Sequence, residues 1–164
     1  MKGGFDKMYD IRQEGWVEAI CGSMYAGKTE ELIRRLKRLD FARRSYCLFK
    51  PVIDNRYSDD EVVSHSGLEM PSIAIEHPIE IFDYIKEDTY AVAIDEVQFF
   101  GENIVEVIEH LADRGIRVIV AGLDKDFRGE PFGNMPALLT KAEFVTKLTS
   151  ICSVCGASAT RLQR

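Results

Sequence analysis

The chain has 164 residues, of which 46% are hydrophobic and 29% are charged, and its formal net charge at pH 7 is −6. A chain of this size and composition is expected to form one globular domain with a sizeable core. No apolar run reaches membrane-spanning length, and the acidic balance without a dense Lys/Arg block argues against nucleic acid as the main partner. Residues 1–14 contain no apolar signal core, so we expect a cytoplasmic protein. They are also polar and show no periodic pattern, so we expect them to form a flexible tail.

The motif around which the chain is organised is a glycine-rich loop between a predicted strand and a predicted helix. The apolar run from Trp16 to Cys21 predicts the strand, and apolar residues spaced at helical intervals predict a helix that continues to about Arg43. Between them lies Gly-Ser-Met-Tyr-Ala-Gly-Lys-Thr at positions 22–29. This fits the phosphate-loop pattern, in which glycines let backbone N–H groups turn towards phosphate oxygens at the positive end of a helix.

The side chains that close this loop have distinct chemical uses. Lys28 supplies a mobile positive charge for the outer phosphates, and the Thr29 hydroxyl can ligate Mg²⁺. The alternative is a glycine-rich turn without a ligand, which has no use for Lys and Thr at these positions. We therefore predict a nucleotide site that comprises Gly22, Ser23, Met24, Tyr25, Ala26, Gly27, Lys28 and Thr29.

A second motif follows the apolar strand predicted from Tyr90 to Ile94. Asp95 and Glu96 come directly after it, as in the Walker B pattern, where an acid at the carboxyl end of a strand reaches Mg²⁺ directly or through water. Because adjacent side chains on a strand point to opposite sides, we expect one carboxylate to serve the metal and the other to meet the reacting group. The alternative is an acidic turn between a strand and a helix, with Glu96 near the helix start.

The remaining pattern alternates strands with helices. Such alternation predicts an α/β fold with a parallel sheet flanked by helices, and ligands gather at the carboxyl edge of such a sheet. The further predicted strands are Ser45 to Lys50, Ile73 to Ile75, Ile116 to Ala121 and Phe144 to Ile151. The further predicted helices have their buried faces at Ile79, Phe82 and Ile85, at Ile104 to Ala112, and near Pro136 to Lys141.

Two segments keep alternative interpretations. The stretch from Pro51 to Pro71 has few apolar residues, and its Arg56 is either a phosphate contact or a solvated loop charge. The loop at 123–133 follows the strand that ends at Ala121. Its Phe127 and Phe132 either line a pocket for a flat ring or plug the end of the core, and plugging is the commoner use of a single Phe.

The C-terminal region contains a Cys-x-x-Cys pair at Cys152 and Cys155. A redox dithiol would normally open a helix, and nothing helical follows here, so half of a structural zinc site fits better. Tetrahedral Zn²⁺ needs four ligands, and no Cys or His follows Cys155 in the sequence.

Five motifs, taken in order, closely resemble those of the cellular-type (type II) thymidine kinases. They are residues 22–29, Lys-Pro-Val-Ile-Asp-Asn-Arg-Tyr-Ser at 50–58, Asp-Glu-Val-Gln-Phe-Phe at 95–100, Gly-Leu-Asp-Lys-Asp-Phe-Arg-Gly-Glu-Pro-Phe-Gly at 122–133, and Cys-x-x-Cys at 152–155. The resemblance covers about residues 15–164. It implies a RecA-type P-loop kinase domain over residues 15–150 and, over 151–164, the start of a zinc-held lasso whose second ligand pair would follow Arg164. Leu162 stands where many relatives carry Thr.

The resemblance also implies a function and its residues. It implies ATP:thymidine 5′-phosphotransferase activity with Mg²⁺ and structural Zn²⁺, serving pyrimidine deoxynucleoside salvage, in a homotetramer inhibited by dTTP. Glu96 looks like the general base, with Lys28 and Arg56 as its catalytic partners. The resemblance further assigns Asp54, Asn55, Arg56, Asp95, Glu96, Val97 and Gln98 to the nucleotide environment, Met24, Phe99, Leu123 and Phe127 to the thymine walls, Thr29 and Asp95 to Mg²⁺, and Cys152 and Cys155 to zinc.

A second functional class shares part of this machinery. A P-loop ATPase that acts on nucleic acid would also use Lys28, Thr29 and Asp95, with Glu96 activating water instead of a hydroxyl group. The acidic net charge and the absence of a basic stripe in the sequence speak against it.

Overall fold

The computed structural model describes residues 15–24, 26–53, 61–63, 69–101, 103–151 and 158–159. Its strands are β1 (Val17–Gly22), β2 (Ser45–Pro51), β3 (Glu61–Val63), β4 (Glu69–Pro71), β5 (Ile73–Ile75), β6 (Thr89–Ile94), β7 (Arg117–Gly122), β8 (Phe144–Leu148), β9 (Ser150–Ile151) and β10 (Ser158–Ala159). Its helices are α1 (Lys28–Phe41), α2 (Asn103–Asp113) and α3 (Met135–Lys141), with 3₁₀ helices at Pro78–Tyr84 and Val97–Phe99.

A six-stranded sheet forms the centre of the domain. Its order is β5-β2-β6-β7-β1-β8, and every neighbouring pair is parallel. Successive side chains of a strand point to opposite faces, so β1 sends Val17, Ala19 and Cys21 to the face covered by α2 and α3, and Ile20 to the face covered by α1. Burial on both faces explains why the central strands β1, β6 and β7 are apolar runs. The predicted parallel α/β fold is confirmed.

The order of the strands brings the sequence motifs to one edge. β7 lies between β1 and β6, with Cys21 opposite Gly122 and Ile94 opposite Val120. The glycine-rich loop, the acidic pair and the loop after β7 therefore all leave the carboxyl edge of three consecutive strands. This is the edge at which open parallel sheets bind ligands.

Three local predictions were wrong in detail. The stretch from Pro51 to Pro71, predicted to be irregular, contains the antiparallel pair β3 and β4. The predicted last strand ends at Leu148 as β8, and β9 then pairs with β10 in a separate sheet. The helix predicted with Ile79 on its buried face is a 3₁₀ helix that exposes 60% of that residue. Residues three apart align on a 3₁₀ helix, so Pro78 and Ile81 form the buried row instead.

None of the helices in the described segments is long and apolar enough to span a membrane.

A buried ion network holds α1 against the amino half of the sheet. Glu18 is 6% exposed and accepts hydrogen bonds from Trp16 Nε1 at 2.7 Å, from Arg35 at 2.9 Å and from the Arg117 guanidinium. Burial alone would raise the pKa of Glu18, but the hydrogen bonds from Arg117 and Trp16 and the charges of Arg117 and Arg35 outweigh it and lower that pKa. The ionised carboxylate is therefore part of the folded structure.

A cleft of about 810 Å³ lies beside this network, and Trp16, Arg38, Glu143 and Phe144 are among its walls. Because Gly15 and Trp16 precede β1, the cleft is at the amino end of the strand and not at the edge that carries the motifs. Arg35, which lines this cleft, already forms ion pairs with Glu18 and Glu31. This cleft is thus separate from the candidate phosphate site.

We predict that Glu18→Gln lowers the free energy of unfolding at pH 7 by about 3 kcal/mol, because it leaves the half-buried Arg117 without its counter-charge and Arg35 with Glu31 as its remaining one. Urea denaturation measures the change. Because the pKa of Glu18 is lowered by folding, its contribution is present above the ordinary pKa of glutamate and is lost as the pH falls through the folded value. The control is Glu109→Gln on α2, which breaks an exposed pair with Lys141 and should cost less than about 1 kcal/mol. Equal losses in the two variants would contradict this account.

Candidate phosphate-binding site

The glycine-rich loop owes its path to two glycines with positive φ. Gly22 has φ 145°, and a Cβ there would lie 2.3 Å from the Leu148 carbonyl oxygen. Gly27 has φ 91°, and a Cβ there would meet no atom within 4 Å, so its backbone angle and not crowding requires glycine. Gly27 is also the N-cap of α1, so no side chain caps the first turn of this 14-residue helix. The amide N–H groups of this first turn are therefore suited to binding a phosphate group.

Lys28 and Thr29 follow as the first two residues of α1. Lys28 Nζ donates a hydrogen bond to the Ser23 carbonyl oxygen at 2.6 Å, across the loop. Burial lowers the pKa of Lys28, and the negative charges of Asp95 and Asp124 oppose that change. The lysine is therefore a partly desolvated cation with carboxylates around it, as an anion-binding charge in a loop requires.

The central contact of the site joins the loop to the acidic pair. Thr29 Oγ1 donates a hydrogen bond to Asp95 Oδ2 at 3.0 Å, and the Glu96 N–H donates to Asp95 Oδ1 at 2.9 Å. The Asp95 N–H extends the sheet by donating to the Phe49 carbonyl oxygen at 2.9 Å. Two sequence motifs 66 residues apart are thus in direct contact.

Asp95 is 6% exposed. Burial and then the charge of Glu96 raise its pKa to about 6, although two hydrogen bonds and the charge of Lys28 oppose the shift. A cation beside the carboxylate would favour its ionised form, and carboxylate and hydroxyl oxygens are ligands that Mg²⁺ accepts. Thr29 and Asp95 therefore fit a magnesium ion.

Glu96 has an unusual backbone conformation, with φ 50° and ψ 41°. The only other non-glycine residue with positive φ in the described segments is Arg43, which follows the end of α1, where such angles are common. Glu96 instead precedes a 3₁₀ helix, and strain of this kind concentrates at functional sites. β6 ends at Ile94, so the turn at Glu96 and not strand alternation separates the two carboxylates: Asp95 is buried and Glu96 half-buried.

The segment after the acidic pair connects β6 to β7. Gln98 is 6% exposed, and its Oε1 accepts a hydrogen bond from the Leu123 N–H at 3.2 Å. A Cβ at Gly122 would lie 2.5 Å from the same oxygen, so glycine permits this close approach. The Val97 side chain is buried in the core, and its place in the nucleotide environment stays a prediction. Gln98 is thus buried against the carboxyl end of β7, a structural position that the sequence did not indicate.

The predicted thymine walls differ in exposure. Met24, Phe99 and Phe127 are 41%, 48% and 56% exposed, whereas Leu123 is buried at 8%. The ring of Phe99 meets that of Phe132 edge to face, with centroids 5.6 Å apart. Of the two uses left open for Phe127, plugging the core does not fit a side chain that is more than half exposed. The exposed rings at this edge are compatible with stacking, but their use by a base stays a prediction.

Several predicted site residues lie outside the described residues, so their predicted roles stay predictions. They are Tyr25, Asp54, Asn55, Arg56, Cys152 and Cys155. Among the residues that the structure does describe, no group of three or more His, Cys, Asp or Glu side chains is arranged to hold a metal ion.

The parallel sheet, with a glycine-rich loop after β1 and an acid after β6, defines a P-loop NTPase fold. The genome packaging NTPase B204 from Sulfolobus turreted icosahedral virus 2 is similar to this chain in two solved structures. In the complex with ATP-gammaS the identity is 15%, the TM-score is 0.52, and the match covers 85% of this chain and 77% of that one. In the complex with sulfate the identity is 15%, the TM-score is 0.50, and the coverages are 87% and 78%.

A third solved structure, that of the Legionella pneumophila ATPase DotB, matches at 12% identity with a TM-score of 0.48 over 86% of this chain, which spans 38% of the length of DotB. Among protein families, the model described as thymidine kinase matches residues 15–164. The chain therefore belongs to the thymidine kinase family.

We predict that Asp95→Asn stabilises the protein at pH 7 while weakening its binding of Mg²⁺–ATP. The ordinary pKa of 3.8 lies below the folded value of about 6. Between these values the folded protein holds a proton that the unfolded chain has lost, so stability falls as the pH rises through this window. Removing the ionisable group should recover about 1–3 kcal/mol at pH 7.

Urea denaturation at pH 4.5 and pH 7 measures the effect. The stability of the wild type should decrease between these two conditions more than that of Asp95→Asn. Parallel pH dependence in both proteins would rule out a buried, proton-binding Asp95.

Proposed function

We propose that the protein is a thymidine kinase that transfers the γ-phosphoryl group of ATP to the 5′-hydroxyl group of thymidine, giving dTMP. Membership of the thymidine kinase family supports a nucleoside kinase. The observation that carries the proposal is the 3.0 Å hydrogen bond from Thr29 to Asp95, because it joins the phosphate loop and the acidic pair in one site. A kinase needs both at the same phosphate group.

In this proposal the chain binds the triphosphate mainly through its backbone. The N–H groups at the start of α1 and the Lys28 ammonium group hold the phosphate oxygens, and the two positive-φ glycines keep the loop curled around them. Thr29 and Asp95 hold Mg²⁺. Bound there, the ion supplies charge neutralisation and orients the terminal phosphoryl group. Positioning and electrostatics of this kind provide most of the catalysis in phosphoryl transfer.

Glu96 is the proposed general base. As the 5′-oxygen forms its bond to the γ-phosphorus and the bond to the β-phosphate oxygen breaks, the hydroxyl proton passes to the Glu96 carboxylate and ADP leaves. The left-handed backbone at Glu96 supports this role, since it turns the residue out of the strand that buries Asp95. A positioned base of this type contributes about 10²- to 10⁴-fold. Arg56 is proposed to assist as a second phosphate contact.

The acceptor side of the site rests on the family resemblance together with residue exposure. Met24, Phe99, Leu123 and Phe127 are proposed to surround the thymine ring, and three of them present exposed apolar surface at this edge. Zinc at Cys152 and Cys155, a homotetramer, inhibition by dTTP and a cytoplasmic location complete the proposal on the resemblance alone.

The test is to offer labelled ATP to the protein with each nucleoside in turn and to identify the labelled monophosphate. Thymidine should be phosphorylated in preference to purine nucleosides, and Lys28→Ala should remove the product because the outer phosphates lose their cation. ATP hydrolysis that is stimulated by DNA and not by any nucleoside would replace the proposal with a nucleic-acid ATPase.

We predict that Glu96→Gln keeps ATP affinity within about threefold and lowers kcat by about 10²- to 10⁴-fold, because the amide occupies the same space without accepting the proton. Steady-state kinetics and ATP titration measure the two quantities. The matched control is Glu106→Gln, an exposed position on α2, which should leave both unchanged. An unchanged kcat in Glu96→Gln would remove this residue from the role of base.

A further inference from the structure

Asp124 is a third carboxylate at the phosphate edge, and the proposed mechanism gives it no part. It follows β7, the strand that separates β1 with its phosphate loop from β6 with its acidic pair. It is 8% exposed, almost as deeply buried as Asp95. An acid in this position has lost most of its hydration, so its polar contacts identify its use.

The two carboxylate oxygens of Asp124 differ. Oδ2 accepts a hydrogen bond from Lys147 Nζ at 3.0 Å, and Lys147 itself is 46% exposed in its side chain. Oδ1 is fully buried and has no hydrogen-bond partner within the part of the chain that the structure describes. Buried polar atoms are nearly always paired in native proteins, so an acceptor of this kind calls for a donor beyond the contacts described.

The position of Asp124 is fixed from both sides. The preceding Leu123 donates its N–H to Gln98 Oε1, and the absence of a side chain at Gly122 lets that oxygen approach. The Asp124 carbonyl oxygen accepts the Phe132 N–H at 3.1 Å, which closes the loop behind it. A carboxylate held in this way cannot relax towards solvent easily.

The charged groups around Asp124 identify the missing donor. Lys147 is already bonded to Oδ2, and Asp95 and Glu96 carry no donor when ionised. Lys28 and Lys125 remain, and of these Lys28 belongs to the phosphate loop, where the negative charge of Asp124 supports its protonated form against burial. An ammonium group has three N–H donors, and the Lys28–Ser23 bond uses one of them.

We propose that Asp124 is a positioning residue for Lys28, with Oδ1 accepting a hydrogen bond from the Lys28 ammonium group when that group turns from the Ser23 carbonyl oxygen to a bound phosphate. The inference rests on the proposed ATP site and adds a residue to it. It explains in one contact why a buried acid lies beside an anion-binding loop, where its charge alone would repel phosphate.

The test is a double-mutant cycle on ATP affinity, measured by calorimetry on the whole chain with Mg²⁺ present. Asp124→Asn keeps the shape of the side chain and an acceptor for Lys147, and it should weaken ATP binding about tenfold. In the Lys28→Ala variant the same change should alter affinity by less than about twofold, because the group that Asp124 positions is gone. In kinetics, Asp124→Asn should raise KM for ATP and leave KM for thymidine unchanged.

Lys147→Met is the matched control, since it breaks the same ion pair from its exposed end and leaves the Asp124 carboxylate in place. It should keep ATP affinity within about twofold of the wild type. If the Asp124–Lys147 pair served only to fix the loop after β7, Asp124→Asn and Lys147→Met would lower ATP affinity alike. The effect of Asp124→Asn would then also persist in the Lys28→Ala variant, and that result would overturn the inference.

Two further outcomes separate this inference from the proposed function. A wild type that binds no ATP would overturn both. A wild type that binds ATP more tightly than Lys28→Ala, with additive effects of the two substitutions, would overturn only the role of Asp124. Thermal unfolding shows whether each variant is folded. If Asp124→Asn does not fold, the double-mutant cycle is repeated with Asp124→Ser.

Discussion

The hydrogen bond from the Thr29 hydroxyl group to the Asp95 carboxylate is the contact on which the site depends. β1 and β6 are not neighbours in the sheet, because β7 lies between them. The loop after β1 must cross the end of β7 for its helix to reach the acid after β6. At the end of that middle strand, a Cβ on Gly122 would lie 2.5 Å from Gln98 Oε1, so a side chain there would disturb the packing of this edge. A change in the sheet order would separate the two motifs however well each was preserved in sequence.

The electrostatics of the site show the same dependence. A carboxylate taken out of water is unfavourable unless charges and donors compensate for the loss, and the raised pKa of Asp95 indicates that its present partners compensate only in part. Glu18 is the contrast within the same sheet. It is equally buried, yet two guanidinium groups and an indole lower its pKa. The ion pairs of Glu18 stabilise the fold. Asp95 is only partly compensated, so a cation beside it would stabilise its ionised form.

Much of this arrangement was predictable from sequence because its signals are local. The glycine spacing of the phosphate loop, the apolar runs and the helical periodicity of α1 and α2 depend on residues a few positions apart, and the parallel sheet follows from their alternation. The carboxyl edge as the meeting place of residues 22, 95 and 122 also follows, since parallel strands end on the same side.

The remaining features depend on contacts between distant segments. The burial of Gln98 is linked to an amide in another loop, and the carboxylate of Asp124 is bonded to Lys147 on β8. The sequence left two uses open for Phe127, because the path of the loop and not its composition decides whether the ring is exposed. The left-handed angle at Glu96 has no sequence signal, because glutamate rarely adopts that conformation.

That angle at Glu96 has an evolutionary consequence. Glycine would relieve the backbone strain at this position, so selection for folding alone would favour its appearance. A lineage that no longer needed the reaction would be expected to drift towards glycine here while its sheet and its loop stayed intact. An acid in this left-handed turn therefore costs free energy of folding that glycine would not cost.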